Sequence, residues 1–288
     1  MSVLSRKDIG EIKMKIKPIR IIIYIFLIAM AIIYLAPLLW VLMVSFKDSN
    51  HEVMTAPFSL PQSPSFDNFT FAWTAGKLGV ATLNSFIVCV VALILSMVIG
   101  SMAAFGIARL RWKLSKLSLT YFLLGMMIPV HCLLIPLFTR FSSLGLNNNL
   151  LGLIIPYVTF SLPITIYIMV GFFEGMPNEL IESACIDGAT IYQIFAKVCL
   201  PLGKTGLFVT GLMTFVGNWN ELLLAMVFIS DDLKKTLPVS LSKFVGPYNT
   251  NYTQMFAAII IAIIPTVVVY CAFSNQIVDG LTAGAVKG

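Results

Sequence analysis

Residues 81–107 read ATLNSFIVCVVALILSMVIGSMAAFGI and hold no charged side chain. About 20 apolar residues suffice to cross a bilayer as a helix. The next residues are Ala108-Arg109-Leu110-Arg111-Trp112-Lys113, so the uncharged run stops at a basic stretch with an aromatic in it. Lysine and arginine accumulate on cytoplasmic loops of membrane proteins, and tryptophan sits at the headgroups. The stretch therefore reads as the inner end of a membrane span. Nucleic-acid binding is the other reading of a basic run with an aromatic, and the position between two apolar runs argues against it.

Five further runs of the same kind lie at about 19–46, 117–138, 151–173, 205–229 and 255–277. The chain is 58% hydrophobic and only 11% charged, against roughly 25% charged in soluble domains. That composition excludes a soluble globular enzyme and a disordered chain. In hydrocarbon each backbone amide needs an internal partner, so the runs should be helices. The expected fold is all-α: an integral membrane bundle of six transmembrane helices. Residues 1–18 form an N-terminal segment, 19–277 the membrane domain and 278–288 a C-terminal tail. The first run is too long for the core of a signal peptide and reads as a retained anchor. Pro37, Pro129, Pro136, Pro156, Pro163 and Pro265 fall inside spans. Bends at such positions are tolerated where neighbouring helices repair the lost bonds, as in a packed bundle.

With the N-terminus in the cytoplasm, thirteen lysines and arginines lie on inner segments and six on outer ones. This predicts both termini inside a multi-pass cell-membrane protein. The net charge of +6 is then a topology signal and no sign of an anionic ligand. The five cysteines, Cys89, Cys132, Cys185, Cys199 and Cys271, form no CxxC pair and no cluster with histidine. They read as small apolar packers, and no metal site is expected.

The longest inner loop, 174–204, carries two helix signatures. Asn178 reads as an N-cap, with Glu179 and Glu182 near the positive end of the helix that follows. Ile181, Ala184 and Cys185 share one face, and Gly188 supplies a left-handed stop. Thr190 and Gln193 form a capping box for a second helix, expected to end before Pro201. Two helices this short are marginal alone and need a surface to pack on. A plain interfacial hairpin and a docking lever are both open at this point.

The loop resembles the Glu-Ala-Ala loop of permease subunits in binding-protein-dependent ABC importers. Its pattern is kept as Glu182-Ser183-Ala184, then Gly188, then Val198-Cys199-Leu200-Pro201, with serine for alanine and valine for isoleucine. Ile186-Asp187-Gly188-Ala189-Thr190 is similar to the carbohydrate branch. The tail from Gly280 to Gly288, the stretch Gly217-Asn218-Trp219-Asn220-Glu221, and Thr236-Leu237-Pro238-Val239 with Tyr248 are similar to the second permease subunit of maltose-type systems. The resemblance implies a sugar importer: a heterodimer of two permeases, two copies of a cytoplasmic ATPase, and an extracellular sugar-binding protein. ATP is then bound by the partner ATPase, and this chain has no cofactor of its own. The implied ATPase-coupling residues are Glu182, Ala184, Asp187, Gly188 and Pro201. The tail, with Gly284 and Lys287, is implied to reach the ATPase dimer.

Asn218, Trp219, Asn220 and Glu221 interrupt the fifth apolar run. Polar groups inside a membrane are costly and face a bundle interior or a water-filled cavity. Either they line the sugar path or they hold helices together, and both readings stay open. His131 and Asn84 read as helix–helix hydrogen-bonding groups. Gly203-Lys204-Thr205 lacks the upstream glycine and the strand of a phosphate-binding loop. Asn68-Phe69-Thr70 and Asn251-Tyr252-Thr253 match a glycosylation pattern common by chance. No catalytic constellation occurs, which leaves a secondary carrier, or an ABC permease for a non-sugar solute, as the rivals.

Overall fold

The computed structural model describes residues 18–110, 112–246 and 250–285, the stretch 275–285 by its backbone alone. The described chain is helical throughout, joined by turns. Four helices cross a membrane by length and apolarity alone: Ile19–Ser45, Leu78–Arg109, Leu151–Glu174 and Tyr252–Ser274. Two bent pairs bring the number to as many as six. The four helices and the pair Ser115–Met127 with Val130–Ser143 match expected apolar runs, while the second pair, Ile191–Leu202 with Lys204–Trp219, joins the start of the fifth run to the end of the loop 174–204; the all-α membrane bundle stands. The last helix continues to Ala285, beyond the expected end of the span.

Two of the expected spans are broken. The third is Ser115–Met127 followed by Val130–Ser143, meeting at 92°. Pro129 has no amide hydrogen and forces the residue before it out of the helical region; Ile128 is extended, at φ −79° and ψ 115°. The fifth is Lys204–Trp219, then a break over 220–222, then a short helix Leu223–Phe228.

Leu78–Arg109 and Leu151–Glu174 form the centre. They approach closely at Gly100, where an added Cβ would lie 2.5 Å from Thr165 Cγ2. A hydrogen side chain there lets two helices meet nearly backbone to backbone. Around this crossing sit three apolar clusters. One, with Val88, Leu153, Tyr157, Leu224 and Phe228, lies at the end of the bundle where the fifth span breaks. A second, with Phe105, Met169, Phe173, Ile194 and Cys199, lies at the opposite end. The third joins Cys89, Phe215, Trp219 and Ala258 across three helices.

The loops at the first end are clasped. Asn68 donates to the Ser45 and Lys47 carbonyls at 3.0 and 2.8 Å and accepts from Thr253 Oγ1 at 3.0 Å. Asn68 of the Asn68-Phe69-Thr70 pattern is thus a buried clasp. Lys47 is fully buried and donates to Ala56 O and Ser59 Oγ. Asn84, expected to bond another helix, instead bonds a loop. Its amide donates to the Leu233 and Lys235 carbonyls at 2.9 and 3.1 Å and so holds a loop.

Candidate functional site: a capped hairpin and an intramembrane polar cluster

The hairpin begins where Leu151–Glu174 ends. Its first helix is Asn178–Ile186. The residue at the cap position is Pro177, and no side chain caps the helix. Asn178, expected as the cap, instead accepts from Arg109 Nη1 at 2.7 Å. The same guanidinium donates to the Phe173 and Met176 carbonyls. Arg109 had been legible only as a positive charge at a span end.

The stop at Gly188 is as expected, with φ +76°. Gly188 N–H donates to Cys185 O at 3.0 Å and Ala189 N–H to Ala184 O at 2.9 Å. This pair of bonds is a Schellman motif. The capping box also forms: Gln193 N–H reaches Thr190 Oγ1 at 3.4 Å, and Thr190 N–H reaches Gln193 Oε1 at 2.8 Å.

The second helix does not stop before Pro201. It runs from Ile191 to Leu202 and meets Lys204–Trp219 at 76°. A π-helical turn over Phe195–Cys199 explains this, with the Leu200 amide bonding Phe195 O five residues back. The wider turn shifts the bonding register ahead of Pro201, which has no amide to satisfy.

One side of the hairpin is packed into the bundle. Ile181, Ala184, Ala189 and Phe195 lie against the cluster of Phe105, Phe173 and Cys199, and Phe195 meets Phe105 at 5.3 Å between ring centres. Cys185, expected on the same face as Ile181 and Ala184, is exposed. The other side is open: Glu182 and Asp187 are exposed, beside Ile186 and Tyr192 at 86% and 76% exposure.

The polar cluster divides. Glu221 sits in the helix break and caps Leu223–Phe228. Its carboxylate accepts from the Leu224 and Ala225 amides at 2.7 and 3.1 Å and from Tyr157 Oη at 2.8 Å. Asn218 and Glu221 line a cavity of about 170 Å³ with Tyr157 and His131. Asn218 Nδ2 is buried there without a partner. His131 belongs to the first turns after the Pro129 break, so the two broken spans meet at this cavity. Trp219 faces elsewhere. It is 2% exposed, stacked on Phe215 at 5.6 Å, and donates to Ala262 O at 3.3 Å. With Asn220 it borders a second cavity of about 250 Å³. Gly284 lies near the end of the last helix, and Lys287 lies outside the described residues. No cluster able to hold a metal occurs among the described residues.

Such a bundle of apolar helices, with a capped hairpin packed against its central helices, is a multi-pass membrane protein. Residues 96–279 match the family described as binding-protein-dependent transport system inner membrane component. The chain belongs to that family: it is an ABC-importer permease, not an enzyme, and it works with a separate ATPase and a substrate-binding protein. It is 37% identical over 263 residues to the diacetylchitobiose uptake system permease protein NgcG of Streptomyces coelicolor, covering 91% of this chain and 87% of that protein. It is 33% identical to the trehalose/maltose transport system permease protein MalG of Thermococcus litoralis, covering 93% of this chain and 97% of that one. The fold is shared with a chain of a bacterial ABC transporter that imports alginate, at a TM-score of 0.79, 23% identity and coverage of 96% and 99%.

Proposed function

We propose that the chain is one of two different permease subunits of an ATP-driven oligosaccharide importer. It couples to the ATPase through residues 174–204. The observation that carries the reading is the hairpin: one face is locked to the central helices, and the other offers Ile186 and Tyr192 beside Glu182 and Asp187. Large apolar side chains standing among acids on a rigid element are what a protein partner buries. Glu182 and Asp187 meet basic groups on the ATPase, Ala184 seats the first helix, Gly188 sets the turn and Pro201 lies where the hairpin joins the fifth span. The sugar class is supported by what the relatives' names say they carry. In this reading two ATPase copies sit under a heterodimer, both termini are cytoplasmic, and the sugar-binding protein docks outside. The tail with Gly284 and Lys287 reaches toward the ATPase dimer, and the chain needs no cofactor of its own.

A solute path through this subunit has its own support. Asn218 and Glu221 border a cavity where two spans break, and broken helices at such depth are tolerated where they line a cavity. Asn220 and Trp219 border the neighbouring one, with Trp219 already engaged in helix packing.

The test is co-purification with the ATPase and the second permease, followed by binding-protein-stimulated ATP hydrolysis over a panel of oligosaccharides. Stimulation by one oligosaccharide class is expected. Uptake that survives deletion of the ATPase would instead mark a secondary carrier.

A further inference from the structure

Arg109 is the last residue of the helix Leu78–Arg109. Its guanidinium gathers three acceptors, on two other helices and the turn between them. Phe173 O is at the end of Leu151–Glu174, Met176 O is in the connecting turn, and Asn178 Oδ1 is on the first residue of the hairpin. The carbonyl end of a helix carries partial negative charge, so a cation is favoured there. A guanidinium is a planar fork and fixes the relative position of the groups it bridges; an ammonium does not. Below it, Phe105 of the same helix packs on Phe173 and on Phe195 of the second hairpin helix.

From this geometry we infer that Arg109 is a coupling latch, a positioning residue that locks the hairpin to two membrane helices. A displacement of Asn178–Ile186 then moves both helices together. The turn 175–177 would otherwise be a free joint in which displacement is lost. Asn178 is the matching half of the latch: it sits at the first position of the helix with its side chain turned to Arg109 in place of the helix amides. The inference rests on the coupling reading of the hairpin.

The experiment uses the assembled transporter in proteoliposomes and reads two quantities. The first is the amount of ATPase retained with the permease. The second is sugar transported per ATP hydrolysed. Arg109→Met and Arg109→Lys are expected to retain the ATPase yet lower the transport-to-hydrolysis ratio, about tenfold for methionine, because charged hydrogen bonds of this kind are lost. Asn178→Ala removes one acceptor and should lower the ratio about threefold. Combined with Arg109→Met it should add little further, since both act on one contact. A ratio unchanged in Arg109→Met overturns the inference, even if less protein accumulates, because a purely structural role changes yield and not the ratio. If Arg109→Met fails to fold, Asn178→Ala decides: an unchanged ratio overturns the latch and a reduced one supports it. Failure of the unaltered permease to retain the ATPase would overturn the coupling reading itself, a different result from a lost ratio in an assembled complex.

Discussion

Gly188→Val isolates the turn of the hairpin from everything else the chain does. Gly188 has φ +76° and nothing within 4 Å of where a Cβ would stand. The substitution therefore meets no neighbour, and its whole cost is backbone strain. Holding a residue with a side chain in the left-handed region costs about 1–2 kcal/mol, toward the upper end for a β-branched one. That moves the turn's equilibrium away from the native angle by about 5–30-fold. Asparagine tolerates this region, so the series Asn, Ala, Val should weaken ATPase association in that order. Gly145 supplies the control: it has φ +69°, is equally open and lies outside the hairpin. Gly145→Val carries a similar strain and should leave association unchanged. The assay is pull-down of the purified ATPase by the permease, with transport measured alongside. Normal association by Gly188→Val, or an equal loss at Gly145, would refute the lever.

Tyr157→Phe deletes a hydrogen bond to the Glu221 carboxylate and should lower stability in detergent by about 1.5–3 kcal/mol, read as a fall in melting temperature. Gly100→Val forces a side chain into Thr165, only 2.5 Å away, and should cost about 2–3 kcal/mol by overpacking. Gly211→Ala, inside the helix Lys204–Trp219, meets nothing closer than 3.8 Å and should raise stability by about 0.5–1 kcal/mol. Asp232 is held well below the usual carboxylate range, first by its hydrogen bonds to Lys235 and Lys243. A lowered folded value means that this contribution is complete above the ordinary carboxylate value of about 4 and lost only as pH falls through the folded one. Melting curves between pH 8 and 5 should therefore show no step from Asp232, while added salt weakens the exposed cluster; a step that Asp232→Asn abolishes would contradict this.

What the sequence displayed plainly was local. Apolar runs, the stop at Gly188 and the Thr190–Gln193 box involve residues a few positions apart; the stop and the box form as expected, and four of the six runs form unbroken helices. Pro129 was visible, but its 92° turn was not. A proline removes one hydrogen bond, and only the packing of neighbours decides whether the helix bends slightly or folds over. Glu221 looked like a costly charge because its partner Tyr157 lies on another span; the carboxylate is satisfied by a phenol and two amides. Arg109 looked like one basic residue among several because its acceptors come more than sixty positions later.

Pro201 carries this contrast to its mechanical consequence. Its presence in a helical pattern signals a stop, and a stop there would leave the hairpin hinged to the fifth span. The π-turn before it keeps the second hairpin helix running to Leu202, and a single 76° bend at Gly203 joins it to Lys204–Trp219. Gly203 suits that corner, since an added Cβ would stand 3.1 Å from both Cys199 O and Phe173 Cε1. The hairpin is thus fixed at both ends, by Arg109 to the central helices and by a packed corner to the fifth. A body held at two points keeps only rotation about the line joining them, so in the proposed coupling a push on the exposed face is expected to pass into the membrane helices.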